Sequence, residues 1–147
     1  MSTSSQFFSF ESLREELSVV IQNEASIVSF CKLLEDIRNF ALKEVESRNK
    51  ILTDIAYWKG EFEYRRKLSE VTLRKKDAVM YNKSLEKIRL TGVKYTEQMI
   101  SSNKDAQMDE AYENLLKSSI TYGKWSSILN DCYFALNSTH KLMGVGA

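Results

Sequence analysis

From Ala25 to Trp58 the apolar residues Ile27, Phe30, Leu34, Ile37, Ala41, Val45, Ile51, Ile55 and Trp58 recur at intervals that place them on one helical face. The spacing predicts a single helix of about 50 Å, at ~1.5 Å per residue. Glu44 and Arg48, four apart, interrupt the stripe as a favourable ion pair on that helix. Gly60 lowers helix propensity by about 1 kcal/mol relative to alanine and is expected to bend or end it. Upstream, Ser12 and Glu15 have capping-box spacing, which predicts a short helix running to Ile21. Residues 1–10 are serine-rich and read as a flexible N-terminus, with Phe7, Phe8 and Phe10 tucking onto the chain's own core.

Beyond Gly60 a third helix is expected from Leu68, carrying Val71, Ala78 and Leu85 at heptad spacing with Tyr81 and Ile88 between. Thr91-Gly92 supplies a helix stop, because glycine tolerates the left-handed conformation that follows a helix end. Thr96 and Glu97 restart a helix, and Asn103-Lys104-Asp105 are expected to break or kink it. The longest regular pattern follows, within a C-terminal heptad helix over residues 105–143. Met108, Leu115, Tyr122, Leu129, Leu136 and Met143 are spaced seven apart, with Ala111, Trp125 and Cys132 at intermediate positions. Six heptad positions in succession are the signature of a coiled coil or bundle, and this stripe is the expected oligomerisation surface.

Composition sharpens the fold class. The chain of 147 residues contains no proline and five glycines, which favours helices joined by few turns. An all-α fold is expected, with long antiparallel helices in an elongated hairpin or bundle that assembles into a homo-oligomer. Residues 11–143 read as one helical domain. No apolar run approaches the ~20 residues of a membrane span, and the N-terminus lacks the basic and apolar regions of a signal peptide. A cytoplasmic protein with reduced Cys31 and Cys132 on apolar stripes is the consequent expectation.

Catalytic chemistry has little to stand on. The one histidine, His140, has no neighbours at ligand or triad spacing and reads as a cation near a helix C-terminus. There is no CxxC, no HExxH and no glycine-rich phosphate loop. No enzyme, no cofactor, no metal and no small-molecule substrate are expected.

Charge changes the picture more. The net charge of +1 conceals a middle segment, residues 59–94, with 11 lysines and arginines against 5 acids. Within it "AYWKGEFEYRRK", Ala56 to Lys67, interleaves aromatics with cations. Cations that follow phosphates and aromatics that stack on bases are the ingredients of single-stranded nucleic-acid binding. The candidate contacts are Tyr57, Trp58, Lys59, Tyr64, Arg65, Arg66, Lys67, Arg74, Lys75 and Lys76, with Lys83, Lys87 and Arg89 extending a cationic strip. Trp58 and Phe62 have a competing role as core residues, whereas Tyr57, Tyr64 and the cations are the better candidates for exposure. A structural coiled-coil assembly or membrane-surface adaptor is the alternative, since anionic lipid attracts the same cations.

The stretch "ILTDIAYWKGE" resembles the region of UvsY-type phage recombination mediators where an aromatic pair is followed, one residue later, by glycine; here these are Tyr57, Trp58 and Gly60. "RKKDAVMY" and the segment from Tyr95 to Leu136 are similar to that family's C-terminal half, through Tyr122, Leu129, Cys132, Ala135 and Leu136. The resemblance spans residues 24–143. It implies a non-enzymatic, homo-oligomeric protein that binds single-stranded DNA and helps a RecA-like recombinase displace single-strand-binding protein. A phage origin and a place in the host cytoplasm follow from the same resemblance. One departure stands out: where the family has basic residues just before the aromatic pair, this chain has Leu52 and Asp54. DNA contact would therefore shift to Lys59 and the cluster Arg65–Lys67.

Overall fold

The computed structural model describes residues 10–145. Their elements are helices α1 (Phe10–Ser18), α2 (Glu24–Arg38), α3 (Val45–Arg89), α4 (Glu97–Ala106) and α5 (Glu110–Val145), with a 3-10 turn at Phe40–Leu42 between α2 and α3. No strand occurs among the described residues, so the protein is all-α. Phe7 and Phe8 lie outside the described residues, as do the first nine positions of the expected flexible N-terminus. Ser12 sits inside α1 rather than capping it, and α1 ends at Ser18, three residues short of the expected Ile21.

The expected helix over Ala25–Trp58 is two helices. Asn23 caps α2 by accepting a hydrogen bond from the Ala25 amide at 2.9 Å, and Asn39 ends it. The chain then makes a 3-10 turn that buries Phe40 to 2 % exposure, while Ala41 and Val45, assigned above to the apolar stripe, face solvent. Lys43 and Asp36, 3.4 Å apart, span this turn. Glu44 is left outside α3, so the expected Glu44–Arg48 pair does not form.

Gly60, in contrast, breaks nothing. α3 runs through it for 45 residues, roughly 68 Å at ~1.5 Å rise. A penalty of about 1 kcal/mol is small beside the burial of Ile51, Leu52, Ile55 and Phe62 around it. α3 stops at Arg89, and Gly92 follows with φ +70°, the left-handed conformation expected of it. Thr96 caps α4 by accepting from the Met99 amide, as its position in the sequence implied. α4 passes through Asn103-Lys104-Asp105 and ends only after Ala106.

Among the described residues, packing gathers into two compact units, residues 10–64 with 121–145 and residues 65–120. The first unit holds an apolar core contributed by α1, α2, the 3-10 turn, α3 and α5. Phe30 is fully buried at its centre. Edge-on rings of Trp58, Phe62 and Trp125 surround it at 5.0, 5.4 and 5.4 Å. The Tyr122 hydroxyl donates to the Val20 carbonyl at 3.2 Å, and Lys124 pairs with Glu16.

The second unit has a smaller and more polar interior: Ser69, Leu73, Ser84 and Ile88 of α3, Ile100 of α4, and Tyr112 and Ser119 of α5. The face expected here is buried only in part: Ile88 is 8 % exposed, and Tyr81 and Leu85 are half-buried. Val71 is 40 % exposed and Ala78 faces solvent. The buried seam is displaced from them because serines occupy two of its positions. Gln107 Nε2 donates to the fully buried Ser84 Oγ at 2.7 Å, satisfying a polar group that an apolar seam would not contain.

Arg48 is an anomaly of the first unit. It is 6 % exposed, its Nε has no hydrogen-bond partner, and its Nη1 donates to the Met143 thioether at 2.8 Å. It also lies in the first turn of α3, where a cation opposes the helix dipole.

Two stability predictions follow from these helices. Gly60→Ala should raise the unfolding free energy by about 1 kcal/mol, since an added Cβ meets nothing within 4 Å. A thermal melt showing no gain would contradict an unbroken helix there. Arg48→Met keeps the buried methylenes and removes an uncompensated cation, so a gain of about 1–2 kcal/mol is expected in urea denaturation. A loss of stability would overturn the view of Arg48 as unpaired.

Candidate nucleic-acid interface on the long helix

On a helix with 3.6 residues per turn, positions 57, 60 and 64 share a face. Burying Trp58 and Phe62 in the first unit turns that face outward. Tyr57 and Tyr64 are 64 % and 60 % exposed, about 10 Å apart along the axis, and Gly60 lies between them with no side chain. Two exposed rings thus flank the bare backbone of Gly60, a notch in the helix surface where an added side-chain carbon would meet nothing within 4 Å.

Trp58 belongs to the core side. It is half-buried, packs against Phe30 and Phe62, and touches the Tyr57 ring edge-on at 5.8 Å. Lys59 is half-buried. A concavity of about 430 Å³ lies beside Tyr57 and Trp58, between α2 and α3. Its charges, Lys50 and Asp54, are 3.7 Å apart and largely offset each other.

In the second unit the candidate cations divide. Arg66 turns inward, half-buried, with its Nε 3.9 Å from Glu70. Arg65, Lys67, Arg74 and Lys75 are exposed, and Lys76 is half-buried. At 100° per residue these side chains spread around α3, so the expected single strip of ten contacts resolves into separate faces.

The Asp77 carboxylate is a junction that sequence spacing did not reveal. Its Oδ1 accepts a hydrogen bond from the Tyr112 hydroxyl at 2.9 Å and lies 3.8 Å from Lys104 Nζ. Asp109 accepts from the Tyr112 backbone amide at 2.8 Å and so caps α5. The hydrogen bond to Asp77, followed by burial, raises the Tyr112 pKa above the ordinary tyrosine value. Burial likewise raises the thiols of Cys31 and Cys132, which are therefore protonated and poorly nucleophilic at neutral pH.

Part of the stripe assigned to subunit contacts is used within the chain. Tyr122 and Leu129 are buried in the core, Leu136 packs against it, and Met143 accepts the Arg48 hydrogen bond. Leu115 is half-buried, and Met108 lies in the turn before α5 at 38 % exposure. Tyr122 and Leu129 are thus unavailable to a second copy in this fold. Tyr122, Leu129 and Leu136 pack within the chain because residues of α1, α2 and α3 cover that part of α5.

His140 is half-buried with its Nδ1 unpartnered and its ring 6.3 Å from Phe40. No group of three or more His, Cys, Asp or Glu side chains is placed to hold a metal among the described residues. No helix among them is long and apolar enough to cross a membrane. No protein-family model, curated protein or solved structure matches the chain.

The Tyr112–Asp77 bond carries a pH signature. Its folded pKa is raised, so its stabilisation is fully present below about pH 10 and is lost as pH climbs through the folded value. Tyr112→Phe should cost about 1 kcal/mol at neutral pH. Denaturation at intervals from about pH 8 to 11 should show the gap between the two chains closing at the alkaline end. A gap independent of pH would mean that the hydrogen bond contributes nothing.

Proposed function

We propose that this protein binds single-stranded DNA through exposed faces of α3 and acts without catalysis as a recombination mediator, helping a RecA-like recombinase onto DNA covered by single-strand-binding protein. The observation that carries the binding reading is the notch of Tyr57, Gly60 and Tyr64. Exposed rings give bases a surface on which to stack, and the missing side chain at Gly60 lets a base approach the helix backbone. The mediator role rests on the resemblance to UvsY-type proteins, and homo-oligomerisation belongs to the same proposal. Repeating a weak site across subunits would raise avidity on one strand.

The test is anisotropy of labelled oligothymidine with four chains. Tyr57→Ala and Tyr64→Ala should each lose about 1–3 kcal/mol of binding. Gly60→Leu should weaken binding while raising helix stability, because it fills the notch and improves propensity. Unchanged affinity in Gly60→Leu would remove the notch from the site. No binding by the unmodified chain would overturn the reading and leave helical assembly in front, which the exposed Leu68, Val71 and Val79 favour.

A further inference from the structure

Within the second unit, α3 forms one wall of a groove of about 350 Å³, and Gln107, Asp109 and Tyr112 form part of its lining. The α3 side contributes three lysines, Lys75, Lys76 and Lys83. None makes a salt bridge among the described residues. Two carboxylates close by are already engaged. Asp77 holds Lys104 and the Tyr112 hydroxyl, and Asp109, the one acid in the groove lining, caps α5. Three ammonium groups against one carboxylate leave the groove net positive. Lys76 and Lys83 are two helical turns apart, about 10 Å, so they address different points along an extended ligand rather than one ion.

We propose that this groove holds successive phosphates of a nucleic-acid backbone, with Lys75, Lys76 and Lys83 as the phosphate contacts. The assignment rests on the single-stranded DNA reading above and adds to it a site that does not involve the tyrosines. Lysine suits the task as a flexible point charge that follows a mobile phosphate without demanding a fixed geometry. A backbone-tracking groove is indifferent to base identity, so its contribution appears in the salt dependence rather than in sequence preference.

The experiment measures oligothymidine affinity from low to moderate salt for the unmodified chain, K75Q/K76Q/K83Q and K75R/K76R/K83R, with circular dichroism confirming that each is folded. Each phosphate neutralised on a single strand contributes about −0.7 to the log–log slope. The glutamine variant should therefore be shallower by about 2, and the arginine variant should keep the original slope. Tyr57→Ala serves as the contrast, losing affinity with its slope unchanged. If the unmodified chain binds and the glutamine variant keeps the full slope, the groove assignment is overturned and the binding reading stands. If the unmodified chain binds no DNA, that reading fails. The groove is then judged by titrating inorganic pyrophosphate and following the Lys76 and Gln107 amides by NMR. Shifts abolished by the glutamine substitutions identify an anion groove whose ligand is a free phosphate compound, which overturns the backbone assignment. An absence of shifts removes the site altogether.

Discussion

The contact on which the candidate site depends is the meeting of Phe30 with Trp58, Phe62 and Trp125. It joins α2, α3 and α5 at one fully buried ring. Edge-on aromatic pairs contribute about 0.5–1.5 kcal/mol each beyond the area they bury. Their larger consequence is rotational. A long helix with weak amphipathicity has no strong preference for which side faces its neighbours. Holding Trp58 and Phe62 against Phe30 fixes the rotation of α3 in the first unit, and the outward direction of Tyr57, Gly60 and Tyr64 follows from helical geometry.

How much of this was legible in the sequence depended on whether a local signal was also the dominant one. The all-α class, the cap at Thr96, the stop at Gly92 and the exposure of Tyr57 and Tyr64 were readable, because proline absence, capping chemistry and helical spacing each had one consequence. Gly60 reversed its expected role, and Asn39 ends a helix that the apolar stripe was expected to continue. Gly60 carries a small local penalty that surrounding burial overrides, whereas Asn39 sits where the chain gains more by turning Phe40 inward than by continuing the stripe through Ala41 and Val45. The seam of the second unit was visible at Ile88 but not throughout, for a different reason. Ser69 and Ser84 occupy buried positions, and a search for apolar periodicity finds Val71 and Ala78 instead. The heptads of α5 were visible as a pattern, but periodicity does not say whether a stripe meets its own chain or another.

Charge was legible in amount and not in arrangement. The basic middle segment is there, but Arg66 turns inward and Asp77 is occupied by Tyr112 and Lys104. What distinguishes Lys75, Lys76 and Lys83 is that they line one groove, a property that appears only once Gln107, Asp109 and Tyr112 are placed beside α3.

The serine at the centre of the second unit has a consequence for how the chain moves. Leu73, Ile88, Ile100 and Tyr112 bury far less apolar surface than the aromatic core of the first unit, and Ser84 depends on a single glutamine amide. One uninterrupted hydrogen-bond ladder thus runs from a firmly anchored half into a lightly anchored half. Opening free energy should fall along α3 from Phe62 towards Arg89, so amide hydrogens beyond Arg65 exchange with solvent first. Lys75, Lys76 and Lys83 would then sit on the stretch of the helix whose amides open more readily.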